Sequence, residues 1–241
     1  MKISGKKILI TGGASGIGFG LAKRFVKDNN TVIVCGRRES ALQSAKEKLP
    51  ALIIRSFDLS LEEERSKLYE WIANEHNDLN ILVNNAGIQQ RMSITDKIFY
   101  DKAKQEIAIN LEAPLHLSSL FLNLKSLETI MNVTSGLAFI PLVNVPVYCA
   151  TKAFVRSFTL SLRRQLKSKN IEVIEIIPPA LNTDLGGKGL HDYAPPVDDF
   201  IAAIFKQLEN GKKEVSFGFS ENMLKAGPEE LKKAFERMNN F

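Results

Sequence analysis

Short runs of Ile, Val and Leu alternate with longer helix-period patterns along almost the whole chain, and this alternation constrains the fold more than any other feature. The apolar runs are Lys7–Thr11, Thr31–Cys35, Leu52–Ser56, Leu79–Val83, Thr129–Val133, Ile171–Ile177 and Glu214–Phe217. Near-continuous branched residues over such lengths mark strands covered on both faces, as parallel strands are. Between them, Gly16–Asp28, Leu61–Asn77, Ile98–Phe121, Val147–Ser168 and Val197–Asn210 carry helical periodicity. Ser60-Leu61-Glu62-Glu63 reads as a capping box opening the Leu61–Asn77 helix. Strand–helix alternation implies right-handed crossovers, hence an α/β class with a doubly wound, seven-stranded parallel sheet and helices on both faces.

No Pro/Gly-rich linker and no repeat of solenoid period divides the chain, so residues 1–241 read as one domain. Two segments break the rhythm. Ile177–Pro196 (177–196) is rich in Gly and Pro and lacks periodicity, which predicts a substrate loop beyond a strand end. Pro228–Asn240 (228–240) predicts an added C-terminal helix.

Composition narrows the function classes. Hydrophobic residues at 44% and charged residues at 24% are globular values and exclude low-complexity or disordered readings. The net charge of +5 is spread among interleaved acids, as in Lys232, Lys233, Glu236 and Arg237, with no basic block to hold nucleic acid. Cys35 and Cys149 are too few for a disulfide framework, and His76, His116 and His191 share no metal-ligand spacing, so no metal is expected. No apolar run reaches the roughly 18 residues a membrane span needs. Ile8-Leu9-Ile10 is too short for a signal-peptide core, which predicts a cytoplasmic protein.

The first strand runs directly into Thr11-Gly12-Gly13-Ala14-Ser15-Gly16-Ile17-Gly18 and a helix. Glycines at such a turn tolerate unusual backbone angles and let a pyrophosphate approach the main chain. The helix start adds free N–H groups and a positive dipole end. Gly12, Ser15, Gly16, Ile17 and Gly18 are therefore candidate dinucleotide-binding residues. At the end of the second strand, Gly36 stands where an acid would receive ribose hydroxyls, and Arg37 and Arg38 follow. An arginine fork suits a phosphate dianion, so NADP(H) is favoured over NAD(H); a solvated basic turn is the other reading. Asp58 and Leu59 after the third strand, and Asn84, Ala86 and Gly87 of Asn84-Asn85-Ala86-Gly87 after the fourth, extend the candidate cofactor site; the Asn84 and Asn85 amides and Gly87 can both brace the sheet and face the ribose.

Tyr148 and Lys152 lie four residues apart at a predicted helix start, on one face. A neighbouring cation favours phenolate and lowers a tyrosine pKa, which prepares it for acid–base work. Ser135 follows the fifth strand, where its hydroxyl can stabilise charge on a carbonyl oxygen. Pro114 lacks the N–H that would bond the Asn110 carbonyl, leaving a main-chain oxygen able to hold water, or simply a bent helix.

Together the glycine loop, Asn84-Asn85-Ala86-Gly87, Asn110, Ser135, Tyr148 and Lys152 resemble the compact form of the short-chain dehydrogenase/reductase family, from Lys7 to at least Phe217. The stretches Val133–Phe139 and Pro146–Lys152 are also similar to bacterial oxidoreductases associated with D-alanylation of lipoteichoic acid. The resemblance implies a single-domain Rossmann fold and hydride transfer between a nicotinamide and a small carbonyl or alcohol substrate. It implies Tyr148 as general acid/base and Lys152 as its partner, also bonded to the nicotinamide ribose. Ser135 would polarise the carbonyl, Asn110 would hold a relay water, and the subunits would form a homodimer or homotetramer. Pro178 and Thr183 match family positions beside the carboxamide, although Pro179-Ala180 replaces the family's usual glycine turn. A catalytically silent NADP-binding sensor, or a scaffold that binds no nucleotide, are the alternatives; Leu137, Phe139, Pro141, Leu181 and Tyr193 are pocket candidates that packing explains as well.

Overall fold

A computed structural model describes residues 3–240. Seven parallel strands form one sheet: β1 Lys7–Thr11, β2 Thr31–Gly36, β3 Ile53–Ser56, β4 Ile81–Asn84, β5 Thr129–Val133, β6 Glu172–Ile177 and β7 Glu214–Ser216. Their order is β3-β2-β1-β4-β5-β6-β7, so the winding reverses between β1 and β4. That switch point opens a crevice at the carboxyl ends of the strands, where ligands of doubly wound sheets bind.

Strand alternation explains the layers. Ile8 and Ile10 face helices α1 (Gly16–Lys27), α2 (Glu39–Lys48) and α7 (Val197–Glu209), through Leu21, Phe25, Leu42, Phe200 and Ile204. Leu9 faces the opposite layer, α3 (Glu62–Glu75), α5 (Ala113–Phe121) and α6 (Pro146–Gln165), through Leu68, Ile72, Leu117, Phe121 and Leu162. Because both faces are covered, the strands have no polar alternation to show.

Three local readings change. The predicted helix Ile98–Phe121 is two helices, α4 (Phe99–Ile107) and α5, joined by a π turn at Ala108–Glu112. Pro114 in the first turn of α5 accounts for the break, since it cannot continue the helical ladder. Ser60 does not cap α3; its N–H and hydroxyl both turn back to Asp58 Oδ1, at 3.0 and 2.7 Å. Beyond β7, a short helix α8 (Phe219–Lys225) precedes α9 (Pro228–Asn239), the added helix. Asn239 ties α9 to the loop before α6: it accepts from Val143 N–H and donates to the Pro141 carbonyl.

Candidate active site

Two strand ends make the floor. Thr11 Oγ1, at the end of β1, accepts the N–H groups of Asn85 and Ala86, each at 3.0 Å. Asn85 Nδ2 returns bonds to the carbonyls of Thr11 and Gly12. Gly12 takes a left-handed φ of 64° and its main chain lies so close to Ala86 that a Cβ would sit 2.8 Å from Cα. Gly18 is needed for packing: a Cβ there would meet Asn85 Nδ2 and the Gly12 carbonyl at 2.5 Å. Only an unsubstituted backbone closes this turn.

The glycine turn delivers the start of α1 to the crevice. Ser15 precedes the helix without capping it, and no acid occupies its first turn. Its dipole end is uncompensated by side chains, and Thr183 lies over Gly16, whose Cβ would be 3.3 Å from Thr183 Cγ2. At the end of β2, a Cβ on Gly36 would find nothing within 4 Å, while Arg37 and Arg38 are exposed and make no ion pair among the described residues. Open space beside two free cations fits a nucleotide that carries a phosphate there.

Other candidates sit differently. Asn84 is buried and bonds Ser118 Oγ and Asn132 Oδ1, so its amide braces the sheet and does not line the crevice. Leu59 is a core side chain, and its carbonyl accepts from Arg65. Asp58 stands at the β3 end with Oδ1 engaged by Ser60. Ile17 packs against the core. The Pro178 carbonyl accepts from Gly136 N–H, and the backbone through Pro179-Ala180 turns without a positive φ, so the missing glycine imposes no strain.

Two polar side chains stand beside Gly87, and Tyr148 and Ser135 continue the group from Lys152. A Cβ on Gly87 would be 3.4 Å from Asn110 Oδ1 and 3.6 Å from Lys152 Nζ. Asn110, within the π turn, clasps Ile88 through both its N–H and carbonyl at 2.8 Å, and reaches Thr151 Oγ1. Lys152 Nζ donates to the Val133 carbonyl at 2.9 Å and lies 5.6 Å from the Tyr148 ring centre. The Ser135 hydroxyl accepts from Leu137 N–H and stands within hydrogen-bonding reach of the Tyr148 phenol.

Burial sets the charges. It pushes the Tyr148 phenol above the usual tyrosine range, against the opposing pull of Ser135. Burial also holds Lys152 down at about 8. The expectation that Lys152 lowers the phenol is therefore not met in the protein alone: both groups lose solvent together, and the ammonium is directed to Val133.

Sequence reasoning gave no role to Thr11 or Glu106, and it named Asn85 only as one of two asparagines able to brace the sheet or face the ribose. Glu106, one turn before Asn110, is fully buried; its Oε1 accepts Gln90 N–H at 2.5 Å and its Oε2 has no partner among the described residues. Burial raises its carboxyl from 4.5 to about 7. A Glu inside a helical pattern carries no signal of such burial. No cluster of three or more His, Cys, Asp or Glu suited to a metal occurs among the described residues, nor any helix long and apolar enough to cross a membrane.

A family model described as short chain dehydrogenase matches residues 6–193. An uncharacterized oxidoreductase of Bacillus subtilis, DltE, is 41% identical over 250 residues, covering 99% of this chain and 98% of that one. Serine 3-dehydrogenase of Agrobacterium fabrum is 32% identical over 73% of this chain and 72% of its own length. A short-chain dehydrogenase of Burkholderia cenocepacia, solved in complex with NADP, superposes over the whole of both chains with a TM-score of 0.86 at 22% identity.

The Glu106 shift predicts a pH signature. A folded-state pKa above the ordinary value means the stability from the protonated acid is complete below about 4.5 and is lost as pH rises through about 7. Glu106→Gln keeps the acceptor for Gln90 and cannot ionise. It should match the unmodified protein at pH 4.5 and be more stable at pH 8 by about 1–3 kcal/mol in denaturant titrations. An equal difference at both pH values would refute this.

Proposed function

The chain belongs to the short-chain dehydrogenase family, and from that premise we propose that it is an NADP(H)-dependent oxidoreductase that interconverts a small carbonyl compound and its alcohol. The reading rests on one observation: Tyr148, Ser135, Lys152 and Asn110 meet at the carboxyl edge of the sheet, next to an uncapped helix start and a glycine turn. NADP(H), when bound, supplies or accepts the hydride. Everything else falls to the protein.

Tyr148 keeps its proton at neutral pH because it is buried, so it is a ready donor to a carbonyl oxygen during reduction. Ser135 stabilises negative charge developing on that oxygen through its hydroxyl. Lys152, held near 8, offsets the charge left on the phenolate after proton transfer. Asn110 pins the Gly87–Ile88 backbone against α6 through Thr151, keeping the ribose-facing loop in register with Lys152. With the Asn110 side chain bonded to protein, a relay water would have to be held by its main-chain carbonyl. Thr183 and Pro178 border the nicotinamide end of the crevice, and Arg37 and Arg38 its adenosine end.

Tyr148→Phe removes only the transferable proton. It should lower turnover by about 10²–10⁴-fold while the dissociation constant for NADPH changes little. Retention of more than about a tenth of the rate would refute the acid/base role. Lys152→Ala should damage turnover and cofactor binding together, having two roles.

Cofactor choice follows from Gly36 and Arg37. One charge-assisted contact contributes roughly 1.5–3 kcal/mol, which corresponds to about 10- to 100-fold tighter binding of NADP than NAD. A side chain at Gly36 meets open space, so Gly36→Asp is sterically free. Combined with Arg37→Ser it should reverse the order, through repulsion of the 2′-phosphate and a new acceptor for ribose hydroxyls. Equal dissociation constants for both cofactors in the unmodified protein at low salt would sink the preference.

We also propose a homodimer or homotetramer. Phe121 and Leu162 are absorbed by the core, yet Ile98, Tyr100, Phe154 and Leu160 remain outward on the α4 and α6 layer, 41–70% exposed. Phe154→Glu with Leu160→Glu should shift sedimentation toward the monomer; a sole 26.9 kDa species for the unmodified protein at micromolar concentration would rule assembly out.

A further inference from the structure

A cleft of about 170 Å³ is lined by the loop after β4, the segment before α6 and the loop that follows β6. Leu142, Val145 and Leu190 are its apolar lining, and Leu142 and Val145 also pack into the small cluster around Tyr148 and Cys149, so the cleft neighbours that cluster. Its polar lining includes Arg91, Asn144, His191 and Tyr193.

One of these groups lacks what a protein interior normally supplies, and another is free to take an anion. Arg91 is exposed and its guanidinium has no carboxylate partner among the described residues, while its own main-chain carbonyl accepts from Lys102 Nζ. His191 Nδ1 is buried and has no hydrogen-bond partner among the described residues, although its ring stands beside Tyr193 at 6.2 Å. A buried polar atom without a partner is costly and is expected where a ligand satisfies it. No acid lines the cleft. Asp184 and Asp192, on the same loop, are exposed outside it.

The loop can bring these groups together. Gly186, Gly187 and Gly189 all hold positive φ, at 81°, 148° and 78°, in the stretch that carries His191 and Tyr193. Such hinges absorb backbone change when a loop closes on a ligand. A fixed guanidinium fork recognises a planar anion in two parallel bonds, and a neighbouring imidazole adds a third donor.

We infer that this cleft binds a carboxylate, and that the substrate is a short-chain hydroxy acid or oxo acid held by Arg91 and His191 with its carbonyl carbon toward Tyr148. A single unpaired guanidinium matches the single charge of a carboxylate better than a phosphate dianion, and the small volume favours a short chain. This rests on the oxidoreductase reading above for turnover, but not for binding.

The test compares matched compounds. With NADPH, short 2-, 3- and 4-oxo acids, their methyl esters and dihydroxyacetone phosphate are assayed by absorbance. At least one acid should exceed its ester in kcat/KM by about 10- to 100-fold, the range of one charge-assisted contact. Arg91→Gln should collapse that acid-to-ester ratio toward one through KM, with Arg91→Lys recovering part of it. His191→Phe should lower the ratio less. Esters used as well as acids, an unchanged ratio in Arg91→Gln, or a preference for the phosphate would each overturn the inference. Binding is read separately, as the rise in melting temperature that 3-hydroxybutyrate gives the NADP-loaded protein. That rise should vanish in Arg91→Gln, and its absence from the unmodified protein would overturn the inference even if esters react. A rise without any turnover would leave the carboxylate site standing and defeat the oxidoreductase reading.

Discussion

The structure depends on how the ends of β1 and β4 are joined where the sheet reverses its winding. β1 and β4 pair side by side, but the chain leaves their ends toward opposite faces of the sheet, and the N–H and carbonyl groups just beyond the strands would otherwise face an open crevice. Thr11 and Asn85 close that gap: a hydroxyl accepts two N–H groups and a carboxamide donates to two carbonyls. The Thr11 hydroxyl also donates to the Val83 carbonyl at 3.3 Å, which exhausts its capacity. With the two strand ends locked, the glycine turn has one path to α1, and Gly87 is carried to Asn110 and Lys152. The nucleotide end and the proton-transfer end of the site are thus parts of one hydrogen-bonded unit.

Within that unit, desolvation and not pairwise attraction governs protonation. Tyr148 and Lys152 are each only 5% exposed, and burial penalises the charged form of both, raising one and lowering the other. Glu106 is subject to the same penalty and contributes further to the rise of the phenol. A site prepared in this way holds its protons until a charge change occurs beside it. A pair read from spacing alone looks like an ammonium activating a phenolate; burial pushes the two groups the other way, the phenol up and the ammonium down.

The parallel sheet covered on both faces was legible because runs such as Ile8-Leu9-Ile10 and Val32-Ile33-Val34 are apolar on both faces, which admits little else. The glycine turn was legible for a similar reason, since backbone geometry there tolerates no Cβ. Less visible were roles decided by where a side chain points. Asn84 and Asn85 are chemically identical neighbours, yet strand pleating sends one into the sheet and the other across the turn. Pro114 announced a break in its helix, but no local pattern records that the break takes the form of a π turn or that Asn110 within it bonds Ile88. Glu106 was hidden altogether, because its burial comes from a loop sixteen residues away closing over it.

One buried charge lies behind the site and bears on why Ser135 stays where it is. Glu175, on β6, is wholly buried; it accepts from Thr134 Oγ1 at 2.7 Å and pairs with Arg156 on α6 at 2.5 Å. Arg156 in turn lies over the Phe139 ring, 4.3 Å from its centre. Thr134 and Phe139 flank Ser135 on either side in sequence, so a single carboxylate anchors both ends of the segment that presents the hydroxyl. Burying such a pair is rarely a net source of stability, because desolvation offsets most of the attraction. Its geometric consequence is larger: Thr134 N–H is also held by the Ile176 carbonyl and Gly136 N–H by Pro178, leaving Ser135 extended between two fixed neighbours. Burial pushes the Glu175 carboxyl up to about 7 against the pull of Thr134 and Arg156, and the Ser135 hydroxyl is aimed by the sheet itself, through a carboxyl that lies behind it.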